Sequence, residues 1–385
     1  MQKRILIFSD SHSHCGVGIN MAALLEELLA RGYETFCAQQ REDTGIQRRL
    51  AKLGVRYFWF PRAPGEDIAA FINDQATPEK IFRETRPDLI FCANGTPAGS
   101  HGAIQAAHKL GIPYMIREGL VAEQFFGGND GERAALRRNY MGARAVITKS
   151  RENLDFLQSR LDLPADFGRV IPNSAADAFF TPRNEAARAA RRRKLGLSEE
   201  DILCFTAAGL RPVKGYVHQI QALRHLERHA LFQRIKFAWA GDGPMREFLD
   251  RQIARFGFAD RIHLLGHVAD VAEWLDAADM FILPSLGEGM PGCVLEAMAK
   301  GVPVIATPAG GTPEALGDCG HLLPETEDEN TRASALAEAI LRWADDDNAR
   351  RRAGERARAR ARARFTRAPM LKAYMESIEQ LFAAL

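Results

Sequence analysis

Seven residues separate Glu288 from Glu296 in the run Pro284-Ser285-Leu286-Gly287-Glu288-Gly289-Met290-Pro291-Gly292-Cys293-Val294-Leu295-Glu296. The run reads as a strand ending near Pro284, a glycine-rich loop and a helix beginning near Gly292. A helix start offers unpaired N–H groups and a positive dipole end, which suit a diphosphate. Ligands of open α/β sheets bind where strands end at their carboxyl edge. Glu288 in the loop and Glu296 about two turns into the helix could then grip separate hydroxyl-bearing parts of one ligand, a sugar and a ribose. The plain alternative for either glutamate is an exposed side chain, or a helix cap for Glu288. A second segment, Arg211-Pro212-Val213-Lys214-Gly215, supplies cations. Lys214 follows a strand and a glycine-containing turn and precedes an amphipathic helix from Tyr216. A cation there opposes the helix dipole, so its position calls for a functional reason. It would stabilise negative charge on a departing diphosphate. Lys214 is followed by Gly215 rather than by Ser or Thr, so this is not the triphosphate loop that ends in G-K-[ST].

The elements that must position these residues are short apolar runs alternating with longer amphipathic ones. Strands are expected over 4–9, 34–38, 55–60, 88–93, 113–116 and 143–148, and a helix over 20–30. A second series is expected over 202–207, 236–240, 261–265, 280–283 and 303–306. Apolar runs this short are typical of parallel strands covered on both faces. Alternation with helices argues for doubly wound α/β domains. The expected architecture is two such halves. The first spans 1–173 and the second 201–368, with a polar, Ala/Arg-rich linker over 174–200 and a last helix over 369–385 that returns to the first half. In the tail, Arg350, Arg351, Arg352, Arg356, Arg358, Arg360, Arg362 and Arg364 are interleaved mostly with Ala. That stretch reads first as a solvated helix and second as a contact for an anionic surface.

The bulk properties exclude several classes. The chain has 385 residues, 46% hydrophobic and 26% charged, enough for two or three domains with cores of their own. A net charge of +2 is too small to imply a nucleic-acid partner. No apolar run approaches the roughly 18 residues of a membrane span. Met1–Ser9 is basic and then apolar, but Asp10, Ser11 and His12 cut it short of a signal core. The expected location is cytoplasmic, with any contact at the inner face of the membrane being peripheral. The six cysteines, Cys15, Cys37, Cys92, Cys204, Cys293 and Cys319, form no C-x-x-C pair, and the ten histidines show no H-E-x-x-H. Reduced thiols and no metal site are expected.

The stretch from Glu288 to Thr307 resembles the signature of the family-4 retaining glycosyltransferases, whose fold is called GT-B: two Rossmann-like domains facing each other across a cleft. The resemblance continues at Gly310-Gly311-Thr312-Pro313-Glu314, Gly241-Asp242-Gly243-Pro244, Leu265-Gly266-His267-Val268 and Ile171-Pro172-Asn173. It implies that Glu296 holds the donor's ribose, Glu288 the donor sugar and Lys214 the diphosphate. It places the base against Gly266, His267 and Val268, with Gly289, Met290 and Pro291 lining the nucleotide site and Gly310 and Gly311 close by. It also implies a nucleotide-sugar donor, UDP first and GDP second, a glycan, lipid-linked or small-molecule acceptor, and no metal or other cofactor. Transfer would proceed with retention, by a front-face route in which the leaving phosphate helps to take the acceptor proton.

Two departures from the pattern stand out. Gly209 occupies the place of an arginine that usually precedes the lysine, which leaves Arg211 as the candidate second cation. The histidine usual after the fifth strand is replaced by Arg117-Glu118-Gly119. Arg117, Glu118 and Asn94 are therefore candidates for sugar or acceptor, with His12, His14 and His101 as substitutes for the missing ring. Gly16 and Gly18, in His14-Cys15-Gly16-Val17-Gly18, would let a loop backbone approach the diphosphate. The same loop fails as a nicotinamide fingerprint because Met21 stands at the third glycine. A nucleotide-sugar epimerase of the same fold and a non-catalytic sugar-nucleotide-binding protein are the alternatives.

Overall fold

Ile5, Leu6, Ile7 and Phe8 are buried, as are Leu89 through Ala93 and Ile202 through Phe205. Runs with no polar alternation can be stable only as strands covered on both faces. The computed structural model describes residues 2–10, 16–40, 45–60, 72–126 and 129–384, and its contacts divide the chain into two units.

The first unit comprises Met1–Asn173 and Ala368–Leu385. Its strands are β1 (Arg4–Ser9), β2 (Glu34–Gln40), β3 (Arg56–Phe60), β4 (Leu89–Ala93), β5 (Tyr114–Arg117), β6 (Val146–Thr148) and β7 (Arg169–Val170). They lie in the order β3-β2-β1-β4-β5-β6-β7, every pair parallel. One face carries Leu6, Phe8, Ile90 and Ile116 against the helix His101–Leu110 and its neighbours. The other carries Ile5, Ile7, Phe91 and Met115 against the helix Gly16–Ala30 and the last helix, Arg367–Ala384, through Leu24, Tyr374 and Ile378.

The second unit is Ser174–Arg367. Its strands are β8 (Ile202–Ala207), β9 (Ile235–Ala240), β10 (Ile262–Gly266), β11 (Met280–Leu283), β12 (Val304–Ala306) and β13 (His321–Leu322), in the order β10-β9-β8-β11-β12-β13, again all parallel. Both sheets are thus doubly wound, as GT-B requires. Each reverses its winding between two strands: β1 and β4 in the first, β8 and β11 in the second. That reversal opens a crevice at the carboxyl ends, where ligands of such sheets bind.

Several expectations change. The first helix starts at Gly16 rather than Asn20, so Gly16 and Gly18 belong to its first turn and not to a loop. Residues 174–200, expected as a linker, carry the helix Glu185–Lys194, capped where Asn184 accepts the N–H of Ala187 at 3.1 Å. This segment is fastened to the second unit: Arg192 donates to Asp279 at 2.9 Å and to the carbonyls of Ser198 and Asp201 at 2.6 and 2.7 Å. The arginine-rich tail is the helix Asp347–Arg364, and five of its eight arginines are engaged in hydrogen bonds, Arg351 with the Asn348 side chain. Arg350 donates to the carbonyl of Trp343, Arg358 and Arg362 to that of Phe180, and Arg360 to those of Glu314 and Ala315. Guanidinium groups there close unpaired carbonyls, which a stretch read by charge alone does not reveal.

Candidate functional site

Lys214 and Glu288 come from the two loops that leave the crevice of the second sheet, one after β8 and one after β11. Lys214 Nζ lies 2.6 Å from Glu288 Oε1, and the Ser285 hydroxyl donates to the same oxygen at 2.7 Å. Burial, the largest influence on Lys214, pulls its pKa down; the charge of Glu288 and the hydrogen bond to it outweigh this, and the ammonium is held above its ordinary value.

Glycines let the loops come this close. Gly215 has φ of +70°, and a Cβ there would sit 2.0 Å from the carbonyl oxygen of Pro284. The Leu286 N–H donates to the carbonyl of Val213 at 2.7 Å, joining the loop after β11 to that after β8. The loop after β12 closes the other side, where Gly310 has φ of +54° and a Cβ on it would lie 1.7 Å from the carbonyl oxygen of Glu288. Its neighbour Gly311 donates to the carbonyl of Gly289 at 2.7 Å. The hydroxyl of Thr307 also donates to the carbonyl of Ser285. Glu288 is therefore fixed through its backbone and its carboxylate alike.

Glu296 lies in the second turn of the helix Gly292–Lys300. The structure gives its carboxylate no hydrogen-bond or ion-pair partner, and burial pushes its pKa up to about 7. Cys293 lies one turn earlier on the same helix, and burial, the largest influence on it, pushes its thiol pKa up to about 12. Arg211, exposed, begins the single turn Pro212–Lys214 and is near enough to depress Lys214 slightly. Gly266 ends β10 with φ of +69°, and its carbonyl accepts the Gly241 N–H at 2.8 Å. His267 is exposed and Val268 is half-buried against the core. Met290 is buried in that core, so of Gly289, Met290 and Pro291 the middle residue can offer a ligand only its backbone.

In the first unit Arg117 and Glu118 end up on opposite faces of β5, both buried. Glu118 Oε1 accepts from Asn94 at 2.9 Å and from Tyr140 at 2.7 Å, and the Ser100 hydroxyl donates to Asn94 at 2.5 Å. Burial raises the Glu118 carboxyl to about 7 despite those hydrogen bonds. Asn94 and Glu118, the candidates for sugar or acceptor, are thus joined in an internal network that leaves Glu118 Oε2 buried without a partner. His101 is also engaged, with its Nδ1 2.8 Å from Asn139 Nδ2. His12 and His14 lie outside the described residues. Ser285 and Lys149 are the residues that spacing missed. A serine three residues before a loop glutamate carries no signal, and Lys149 is considered below. Among the described residues no group of three or more His, Cys, Asp or Glu is placed to hold a metal ion, and no helix is long and apolar enough to cross a membrane. The five described cysteines are free thiols, and Cys15 lies outside the described residues.

Comparison with known proteins agrees with this geometry. Residues 187–360 match the family described as glycosyl transferases group 1, and residues 16–174 match the glycosyl transferase 4-like domain. TuaC of Bacillus subtilis (strain 168), named as a teichuronic acid biosynthesis glycosyltransferase, is 30% identical over 270 residues, covering 68% of this chain and 62% of TuaC. The alpha-D-kanosaminyltransferase of Streptomyces kanamyceticus is 27% identical over 239 residues, covering 61% of this chain and 59% of that protein. In both cases the match spans less than two thirds of the relative. Among solved structures, Anabaena Alr3699/HepE in complex with UDP and glucose superposes with a TM-score of 0.82 at 20% identity, over 98% of this chain and 100% of that one. At that identity the likeness is one of fold.

Proposed function

We propose, from the premise that the chain belongs to the family of group 1 glycosyltransferases with the GT-B fold, that it moves a sugar from a nucleoside-diphosphate donor to an acceptor hydroxyl with retention at the anomeric carbon. The carrying observation is the half-buried Lys214–Glu288 pair at the strand-end crevice of the second unit, with Glu296, unpartnered among the described residues, on the helix that follows. A UDP-sugar is the first donor to try and a GDP-sugar the second. The HepE complexes with UDP and glucose and the polysaccharide role in the name of TuaC support that order. The acceptor is a glycan, a lipid-linked glycan or a small molecule, as a pathway of polysaccharide or glycoconjugate assembly would offer from the cytoplasmic side.

The roles follow from charge. Lys214, helped by Arg211, meets the negative charge that grows on the departing diphosphate, the task a metal ion performs elsewhere, so no metal is needed. The diphosphate replaces Glu288 as the partner of the ammonium, which frees Glu288 to take hydroxyl donors of the sugar. Glu296 accepts from the ribose hydroxyls. The backbone at Gly266–Val268 meets the base, and the N–H groups at the start of the helix Gly292–Lys300 face the phosphates. Positive charge develops at the anomeric carbon as its bond to the diphosphate oxygen breaks. No side chain is poised as a nucleophile among the described residues of this site. The acceptor oxygen attacks on the face the diphosphate leaves, and its proton passes to the leaving phosphate oxygen.

The test is thermal unfolding of the wild type, Lys214→Ala and Glu296→Ala with UDP, GDP, ADP and dTDP in the presence of a chelator. A ligand at about 100 times its Kd stabilises by about 2.7 kcal/mol. One diphosphate should raise the wild-type melting temperature and both variants should lose most of the rise. No response to any of the four would sink the donor-site assignment. Turnover of the matching nucleotide sugar, with the product anomer read by NMR, then decides retention.

A further inference from the structure

The first unit holds two buried cations that no acid among the described residues neutralises. Arg117 ends β5 and Lys149 follows β6, on neighbouring strands, and both point to the face covered by the helices Gly16–Ala30 and Arg367–Ala384. Each is 1% exposed. Nε and Nη1 of Arg117 make no close hydrogen bond, its remaining nitrogen reaches Asn173 Oδ1 only at 3.4 Å, and the Tyr374 hydroxyl that takes Lys149 also lies against the guanidinium. Lys149 donates to the hydroxyl of Tyr374, and its ammonium stands 5.0 Å from the centre of that ring. Neither cation forms an ion pair with a described carboxylate. Glu118, the nearest acid in sequence, lies on the other face of β5, tied to Asn94 and Tyr140.

Such an arrangement is costly. A charge taken out of water must be repaid by an opposite charge and by hydrogen bonds, and two like charges side by side add repulsion. Burial, and then the Arg117 guanidinium, push Lys149 well below its ordinary pKa. Proteins keep such costs where a ligand removes them. The cations also lie at the carboxyl ends of β5 and β6, the edge at which doubly wound sheets bind ligands. Asn20, in the second turn of the helix that follows β1, donates to Asn173 at 3.2 Å and brings the positive end of that helix to the same place.

We infer that Arg117 and Lys149 form an oxyanion-binding site in the first unit, whose ligand is a phosphate group. A guanidinium can meet two phosphate oxygens once it turns from the Tyr374 hydroxyl, and the ammonium supplies a third contact. The phosphate belongs to the acceptor, as a phosphomonoester. That assignment rests on the glycosyl-transfer reading; the oxyanion site does not.

The experiment follows melting of the full chain with inorganic phosphate, glycerol 3-phosphate, glycerol as the neutral control, and UDP. The proteins are wild type, Arg117→Met, Lys149→Met and, as a surface control, Lys372→Met. The phosphates should raise the wild-type melting temperature saturably while glycerol does not. Arg117→Met and Lys149→Met should bind phosphate at least tenfold more weakly, and Lys372→Met, at an exposed lysine, should bind it as wild type does. Without ligand, at least one of the two methionine variants should melt no lower than wild type, because each removes an unneutralised buried charge. The phosphate shift should add to that of UDP, and competition with UDP overturns the assignment to the acceptor. Phosphate binding that is absent, or unchanged in both methionine variants, overturns the site. So does a large loss of melting temperature in both variants without ligand, which would make the two cations structural. If UDP is silent while phosphate binding depends on Arg117, the donor reading fails and the oxyanion site stands.

Discussion

The ammonium of Lys214 and the carboxylate of Glu288 meet at 2.6 Å although 74 positions separate them in sequence. The pair exists because sheet order places β8 beside β11. In the proposed mechanism its energy is available for exchange, the diphosphate taking the lysine and the sugar the glutamate. Lys214→Met should lower the transfer rate about 10²–10³-fold, the usual cost of removing one donor to developing negative charge. Glu288→Gln should lower it too, while keeping an acceptor for Ser285. The two residues serve one event, so the double variant should lose less than the product of the single losses, with a coupling of about 0.5–3 kcal/mol. Rates at saturating donor for the four proteins decide this, and simple multiplication of the losses would count against a shared role.

Glu296 predicts a pH dependence. Its carboxyl ordinarily titrates near 4.5 and is raised to about 7 by burial. The fold therefore favours the neutral form. Its contribution to stability is complete below the ordinary carboxylate range and is lost as pH rises through about 7. Glu296→Gln should match wild type near pH 4.5 and be more stable above pH 7, by about 1–2 kcal/mol once partial exposure is allowed for. Binding should run the other way. Ribose hydroxyls donate more strongly to a carboxylate than to a neutral acid, so wild-type affinity for the diphosphate should rise between pH 6 and 8. That of Glu296→Gln should stay flat. Calorimetry across that range measures both proteins, and parallel profiles would remove Glu296 from the ribose.

Much of this was legible in the residues. β1, β8 and β11 match their sequence-based bounds, because continuous apolar runs in a parallel sheet admit little else. β7 and β13 were not legible: Arg169–Val170 and His321–Leu322 are too short to carry a pattern and are strands only because a neighbour offers its edge. Glycines read as loop at Gly16 and Gly18 begin a helix, since its first N–H groups need no intrahelical partner and tolerate poor helix formers. The donor-side residues could be named one at a time, but the link of Lys214 to Glu288 is a product of strand order. Lys149 looks like an ordinary lysine past a strand end. It is buried by Tyr374, 225 positions later, and no local spacing carries that.

The role of Gly310 can be separated from the general strain of its backbone. Gly310 and Gly257 both have positive φ, +54° and +69°, but a Cβ on Gly257 meets nothing within 4 Å whereas one on Gly310 meets the Glu288 carbonyl at 1.7 Å. Gly257→Ala should cost about 1–2 kcal/mol from conformation alone and leave turnover intact. Gly310→Ala should lower stability further and reduce transfer more than tenfold by displacing Glu288. Melting temperatures and turnover of the two variants measured together test this; equal effects would mean that the approach of the two loops is not needed.

Asp279 decides whether residues 174–200 behave as a tether or as part of the second unit. It accepts from Arg188 at 3.0 Å, from Arg192 at 2.9 Å and from the Leu203 N–H at 2.8 Å. Burial alone would raise its carboxyl, but Arg188, the Leu203 N–H and Arg192 together hold it below the ordinary value. Asp279→Asn leaves two guanidinium groups without their anion, a change that costs about 3–5 kcal/mol when the pair is buried. The sign with pH follows from the lowered pKa. The carboxylate stabilises the fold above its unfolded range and loses that effect as pH falls through its folded value. The gap between wild type and Asp279→Asn should therefore be widest near neutrality and close on acidification below about pH 4. Urea midpoints at a series of pH values measure it. A gap that is small at pH 7 would mean that the helix Glu185–Lys194 is held by packing, through its contact with the helix Val271–Ala277, and that its arginines are dispensable.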